Sequence, residues 1–364
     1  MKLYNTLTRT LEPFTPLTGK KITLYQCGPT VYWTQHIGNM RAMVMGDLVV
    51  RSLRYLGYEV TSVRNYTDVG HLTSDADTGE DKMSKGAKKE GLTPDEIADK
   101  YIAQFEHDVS ALNCIAPAVS PRATAHIPEM ITMISTLLKK GMAYETDRAV
   151  YFSVEQFGWD RYTKLSRQKK QDLVAGAGKG DVQDTDKRNP ADFALWFFRT
   201  GAHAQAMQYW PSPFHSSVVK QGEGFPGWHI ECSAMSMKYL GETLDIHMGG
   251  VEHISIHHSN EIAQSEGTTG KPFVRYWLHN EHLLANGEKM AKSQGTGLSL
   301  EAIMKRRFHP LSLRYFFLQA HYRSQQNFTY ESLGASQQAL NNLLQEAFVI
   351  RARSTQKGKP LPAL

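Results

Sequence analysis

Cysteine is scarce in this chain: Cys27, Cys114 and Cys232 are the only three among 364 residues. So sparse and odd a set argues against a disulfide framework. Each thiol is then a core side chain, a metal ligand or a reactive group. Long apolar runs are missing as well. The longest, near residues 42–50, is broken by Gly46 and Asp47 and is too short to span a bilayer. The first ten residues lack the apolar stretch of a secretory signal, so a cytoplasmic location with no membrane partner is expected. Charge of one sign is also not in large excess: 41 Lys and Arg against 36 Asp and Glu leave +5. That balance permits a polyanionic partner without requiring one. The basic clusters near 82–89, 167–170, 305–307 and 351–359 read as solvated faces.

What is present is an ordinary globular composition, 41% hydrophobic and 21% charged, in a length that implies two or three folding units. Alternation at 21–26, with Ile22 and Leu24, predicts a strand running into Cys27-Gly28-Pro29. After His36-Ile37-Gly38-Asn39 a helical period runs to about residue 56 and stops at Gly57. A second strand follows at 59–65. Strand, helix and strand at this spacing make a parallel βαβ unit.

The polar stretch 74–91 reads as a surface loop. Thr93-Pro94-Asp95-Glu96 is a strong helix start for a helix to about residue 113, and a second helix spans about 128–140. Charged residues 164–190 read as irregular and suit an insertion. Regular alternation resumes with a helix at 229–240, a strand at 244–248, a helix at 257–267 and a strand at 276–284. The tail from 298 is helical in pattern, clearest at 332–349. The expected organisation is therefore a nucleotide-type α/β domain in two halves, residues 1–125 and 215–297, parted by an insertion at 126–214 and followed by a helical region at 298–364.

Two sets of residues carry chemistry. His257 and Glu261, four apart on a predicted helix, share a face, and Cys232 and Cys27 are candidates to join them. Two thiolates, an imidazole and a carboxylate form a sound zinc set. Spacing alone leaves open a plainer outcome, two buried thiols and an ion pair on a helix face. Cys114 has no ligand-type neighbour and reads as a core thiol. The second set is phosphate-oriented. His36-Ile37-Gly38-Asn39 opens a helix, where backbone amides and the dipole suit an anion. Lys289-Met290-Ala291-Lys292-Ser293 follows the last strand, past Asn286-Gly287, and two lysines there suit a triphosphate. Lys82-Met83-Ser84-Lys85 looks similar but lies in the first half without that context, and reads as a chance match.

The pair formed by His36–Asn39 and 289–293 resembles the signatures of class I aminoacyl-tRNA synthetases. Longer strings narrow the resemblance to the cysteinyl-tRNA synthetase family: residues 25–32 (YQCGPTVY), 65–68 (NYTD), 227–235 (GWHIECSAM) and 257–266 (HHSNEIAQSE). The resemblance runs from residue 1 to about 345. It implies a Rossmann-like parallel sheet split by an insertion, and one Zn²⁺ held by Cys27, Cys232, His257 and Glu261. It further implies that the substrate thiolate joins the metal, so that serine is rejected without an editing domain. Gly28, Thr67, Trp228 and His247 match positions lining the cysteine pocket. His36, Gly38, Asn39, Lys289 and Lys292 match positions that bind ATP, with Mg²⁺ on its phosphates, and His36, Asn39, Lys289 and Lys292 carry the catalytic role. The implied reaction is cysteine activation to cysteinyl-adenylate followed by transfer to tRNA(Cys), by a monomer.

The family usually continues into a helical anticodon-binding domain, whereas this chain stops after a Lys-, Arg- and Pro-rich tail. Residues 298–364 would be only the start of a region that contacts the tRNA stem. Two rivals follow: a ligase joining cysteine to a small amine, as in the mycothiol pathway, and a non-catalytic paralogue that binds zinc and nucleotide.

Overall fold

The computed structural model describes residues 1–70, 72–74, 78–171, 173, 186–290 and 297–354. The chain opens with an antiparallel hairpin, β1 (Lys2–Asn5) and β2 (Thr10–Pro13). Next come β3 (Lys21–Gln26), α1 (Ile37–Tyr55) and β4 (Glu59–Arg64). β3 and β4 pair in parallel from Lys21↔Glu59 to Gln26↔Arg64, as the strand–helix–strand spacing predicts.

The expected surface loop at 74–91 is instead structured. β5 (Leu72–Ser74) and β6 (Thr78–Asp81) pair, and α2 (Lys82–Glu90) follows, with Asp81 accepting from the Ser84 N–H at 2.8 Å. Composition hid this helix because the face it buries is Met83, Ser84, Gly86 and Ala87, which carries little apolar signal. α3 (Pro94–Ala111) begins as its capping box demands. The Glu96 N–H donates to Thr93 Oγ1 at 3.3 Å and the Thr93 N–H returns a bond to Glu96 Oε2 at 2.8 Å.

The insertion holds α4 (Ile127–Lys139), β7 (Ala143–Glu145), β8 (Ala149–Phe152), the short α5 (Val154–Phe157) and α6 (Trp159–Tyr162), and β9 (Phe193–Phe198). With β10 (Gly224–Pro226) these strands form an antiparallel sheet in the order β10-β9-β8-β7. Sequence reading missed it for a physical reason. Every residue of β9, Phe-Ala-Leu-Trp-Phe-Phe, is buried, so the strand shows no alternation.

α7 (Trp228–Leu240), β11 (Leu244–Gly250), α8 (His257–Thr269) and β12 (Val274–Asn280) complete the parallel sheet. Its order is β12-β11-β3-β4. β11 pairs with β3 on one side and β12 on the other, so the chain's two separated halves build one α/β sheet. Strand order reverses between β3 and β11, and ligands of such sheets bind in the crevice beyond the carboxyl ends at that switch point. Cys27 is the first residue past β3, and its N–H still donates to Met248 O on β11 at 3.1 Å.

Contacts divide the chain into two units: Met1–Thr34, Gly46–Glu106 and Ala116–Asn280 in the first; Gln35–Met45, His107–Ile115 and Glu281–Leu364 in the second. The strand expected at 276–284 is therefore two. β12 stops at Asn280, and β13 (Leu283–Ala285) belongs to the second unit, where it forms a hairpin with β14 (Glu288–Lys289). Asn286 and Gly287 turn that hairpin at φ 51° and 86°, the left-handed pair an Asn-Gly turn supplies. The second unit continues with α9 (Leu300–Lys305), α10 (Pro310–Leu318), β15 (Gln326–Phe328), which runs parallel to β13, and α11 (Tyr330–Ser354). Inside it, the buried Arg41 guanidinium donates to four carbonyls, of Glu281, His282, His321 and Ser324. Among the described residues no helix is long and apolar enough to cross a membrane.

Asp245 ties the sheet to the segment before β3. Its carboxylate, 1% exposed, accepts from the Leu17 N–H at 2.6 Å and from the N–H and Oγ1 of Thr23 at 2.9 and 3.2 Å. Removing it leaves three part-buried donors without their acceptor, at about 1–3 kcal/mol for each that water does not reach. Asp245→Ala is expected to lower unfolding stability by about 3 kcal/mol in urea titration, and Asp245→Asn by less.

Candidate active site

At the switch point four side chains converge from three elements. Cys27 follows β3, Cys232 sits in the second turn of α7, and His257 and Glu261 open α8. Their ligand atoms all lie within 4.8 Å of one another, and all four residues are buried. The helical spacing of His257 and Glu261 brings Nε2 to 3.0 Å from Oε1. An overlapping quartet, Cys27, His247, His258 and Glu261, meets the same distance limit. In that set, however, His247 Nε2 is already engaged by Glu261 Oε2 at 2.8 Å, which makes it a hydrogen-bond partner of the first quartet.

The surroundings aim these groups. Trp228 stacks on the His257 ring, centroids 4.2 Å apart, and His229 Nδ1 lies 2.9 Å from His257 Nδ1. One nitrogen of His257 is thus occupied from behind and Nε2 faces the cluster. Buried and 3.0 Å from Glu261, Nε2 still makes no well-aligned hydrogen bond. His258 Nε2 is 3.3 Å from Cys27 Sγ, and its Nδ1 continues to His279 Nε2 at 2.7 Å. Gly28, next to Cys27, has no room for a side chain, because a Cβ there would fall 1.6 Å from the Asn65 carbonyl oxygen. The Thr67 hydroxyl donates to Glu231 Oε2 at 2.8 Å.

Burial penalises every charge here, and neighbours decide which survive. It pushes the Cys27 thiol up, and the hydrogen bond and proximity of Cys232 push it further. Cys232 feels the same burial, but the hydrogen bond from Cys27 and the nearby His257 bring it down to about 6. Burial disfavours the His257 imidazolium, yet Glu261 and Cys232 raise it to about 10. Glu261 is opposed by burial and held below the usual carboxylate range by His247 and His257. Burial lowers both His258 and His279 and keeps them neutral. At neutral pH the quartet then carries a thiolate, a carboxylate, an imidazolium and a thiol, one net negative charge in a closed interior.

The phosphate-oriented segments lie in the second unit. The half-buried His36 directly precedes α1, where the Asn39 N–H donates to its Nδ1 at 3.3 Å. The ring lies against Gly38, whose Cβ would come 2.9 Å from it, which accounts for the glycine between His36 and Asn39. The Ile37 N–H donates to Leu298 O at 2.7 Å, and His36 bridges Ser299. Lys289 occupies β14 opposite Leu284; Lys292 lies outside the described residues. In the look-alike string 82–85, Met83 and Ser84 are buried in the first turn of α2, so it is a helix start.

Sequence reasoning did not single out Asn65, His229, Glu231 or His258. His258 sits beside His257, and that doubled histidine was a usable signal; Asn65 and Glu231 gain meaning only from their neighbours in space.

Residues 13–338 match the family described as tRNA synthetases class I (C) catalytic domain. The chain is 47% identical over 343 residues to a cysteine–tRNA ligase of Treponema denticola, covering 94% of this chain and 67% of that protein. It is 46% identical to one of Chlorobaculum tepidum (94% and 68%) and 43% identical to one of Porphyromonas gingivalis (98% and 72%). In fold it is similar to a Mycobacterium tuberculosis methionyl-tRNA synthetase bound by methionyl-adenylate, at TM-score 0.63 and 13% identity, over 87% of this chain and 68% of that one. A parallel sheet split by an insertion, the motif strings met along it and these likenesses agree, and the chain belongs to the class I aminoacyl-tRNA synthetases, in the cysteine–tRNA ligase family.

Proposed function

We propose that this chain activates L-cysteine with ATP as cysteinyl-adenylate and transfers it to tRNA(Cys), with zinc held by Cys27, Cys232, His257 and Glu261. The observation that carries the reading is the convergence of those four donors within 4.8 Å in a buried setting. The donor set fits the ion: two soft thiols, an imidazole and a carboxylate match zinc's preferences. The unsatisfied Nε2 of His257 fits as well. When bound, zinc supplies a thiophilic position that a substrate thiolate fills far better than a hydroxyl.

The chain's own residues supply the rest. Trp228 and His229 hold the His257 ring, and His247 holds Glu261. Thr67 has committed its proton to Glu231, so its oxygen offers the substrate an acceptor. Gly28 lets the backbone after Cys27 approach closely. His36 accepts at Nδ1 from Asn39, which leaves Nε2 as the protonated nitrogen, a donor suited to phosphate. The start of α1 adds the positive end of its dipole. Lys289 and Lys292 would neutralise charge on the departing pyrophosphate, with Mg²⁺ on ATP. Attack by the cysteine carboxylate on the α-phosphorus, with pyrophosphate leaving, is then a matter of positioning and charge.

Cysteine-dependent ATP–pyrophosphate exchange, followed by charging of tRNA(Cys), tests the reading. Exchange is expected with cysteine, and with serine it should be lower by more than the roughly 100-fold that pocket shape alone gives between near-isosteres. Cys232→Ser and His257→Ala should each remove zinc and lower exchange by more than the roughly 10–100-fold that loss of an outer partner costs. Full exchange by a zinc-free chain would sink it.

Zinc affinity should also climb with pH. Ions displace protons from thiols and imidazolium. Cys27 lies well above its ordinary value and His257 at about 10, while Cys232 ionises at about 6. Between pH 6 and 9 two protons must leave, so log K should rise by about two per pH unit, steepening below pH 6 as Cys232 also protonates. Chelator competition across that range measures the slope, and a flat profile contradicts the ligand set.

A further inference from the structure

The hydrogen bonds behind the two cysteines run in one direction, and backbone chemistry sets it. A backbone N–H only donates, so the Gly28 N–H donates to Asn65 Oδ1 at 2.9 Å. That places the amide nitrogen toward Thr67, and Nδ2 donates to Thr67 Oγ1 at 3.2 Å. The hydroxyl proton is left for Glu231 Oε2, 2.8 Å away. A carboxylate accepts at Oε2, and a carboxylic acid does so with its proton on Oε1, so the direction holds in either state. Asn65, Thr67 and Glu231 are 1%, 2% and 0% exposed, and water does not compete for these bonds.

The two ends of this strap are covalent neighbours of two proposed zinc ligands: Gly28 follows Cys27, and Glu231 precedes Cys232. Asn65 Oδ1 also lies 3.8 Å from Cys232 Sγ. Backbone bonds stiffen the middle, Thr67 N–H to Pro29 O and Val31 N–H to Thr67 O, each 3.1 Å. Each thiol swings on a single side-chain rotor, so the separation of the sulfurs is set by where the two backbones sit. Those backbones belong to segments some two hundred residues apart in sequence. Metal sites tolerate only a few tenths of an ångström in ligand placement.

We propose that Asn65 and Thr67 are positioning residues for the metal centre, the strap Gly28–Asn65–Thr67–Glu231 setting the separation of Cys27 and Cys232. The inference rests on the zinc reading above and extends it to residues that touch no metal.

Asn65→Leu and Thr67→Val cut the strap at nearly constant volume. Binding of zinc and of cobalt(II) to the purified chain is measured by chelator competition, with the visible and thiolate charge-transfer bands of cobalt as the second readout. Each variant is expected to lose about 10–100-fold in affinity and to shift the cobalt bands. Thr67→Ser, which keeps the hydroxyl, should restore both. The double variant should bind no more weakly than the weaker single one, because a strap cut once has nothing left to lose. Leu53→Ala, in a separate apolar cluster, should lower the melting temperature and leave metal affinity unchanged. Unchanged affinity and spectra in both strap variants, additive losses in the double variant, or an equal loss in Leu53→Ala would overturn the proposal. An unaltered chain that binds neither metal would overturn the zinc reading, and the strap's role with it.

Discussion

Burying two thiols, an imidazole and a carboxylate against one another is the interaction on which this structure depends. Each isolated charge taken from water costs several kcal/mol even after the protein relaxes. The quartet survives because its members compensate. Glu261 faces two imidazoles, His257 faces a thiolate and a carboxylate, and Cys27 keeps its proton. A dication replacing two protons leaves the net charge of the interior unchanged, so the pocket is electrostatically suited to exchange one state for the other.

The fold serves that constraint. A parallel sheet brings the end of β3 beside the end of β11, and the helices that follow β10 and β11 carry the other three side chains of the quartet past the same edge. Aromatic rings then lock the imidazoles: Trp228 on His257 and Trp277 on His247, 4.7 Å between centroids. Such stacking fixes ring planes at little entropic cost, since the rings are already ordered by burial. In the second unit the same economy appears at His36, held against Gly38 by a backbone donor.

Much of this was legible along the chain. Alternation marked β3 and β4, helical periods marked α1, α7 and α8, and the capping box at Thr93 marked the start of α3. These signals are local, a few residues wide, and their physics does not depend on distant neighbours. The antiparallel sheet of the insertion was not legible, because β9 is buried on both faces and alternation vanishes there. α2 was hidden by the small, polar residues of its buried side, and β12 and β13 merged into one expected strand because their break at residues 281–282 carries no glycine or proline.

For the candidate site the division is sharper. Sequence by itself placed His257 and Glu261 on one helical face, since a helix has a fixed period, and its motif strings pointed to Cys27 and Cys232 as companions. Their convergence within 4.8 Å was decided by tertiary structure alone, as were the roles of Asn65, His229 and Glu231 behind them. Hydrogen bonds between segments far apart in the chain leave no periodic trace, because their geometry is created by the packing of the sheet and helices and by nothing in the local backbone.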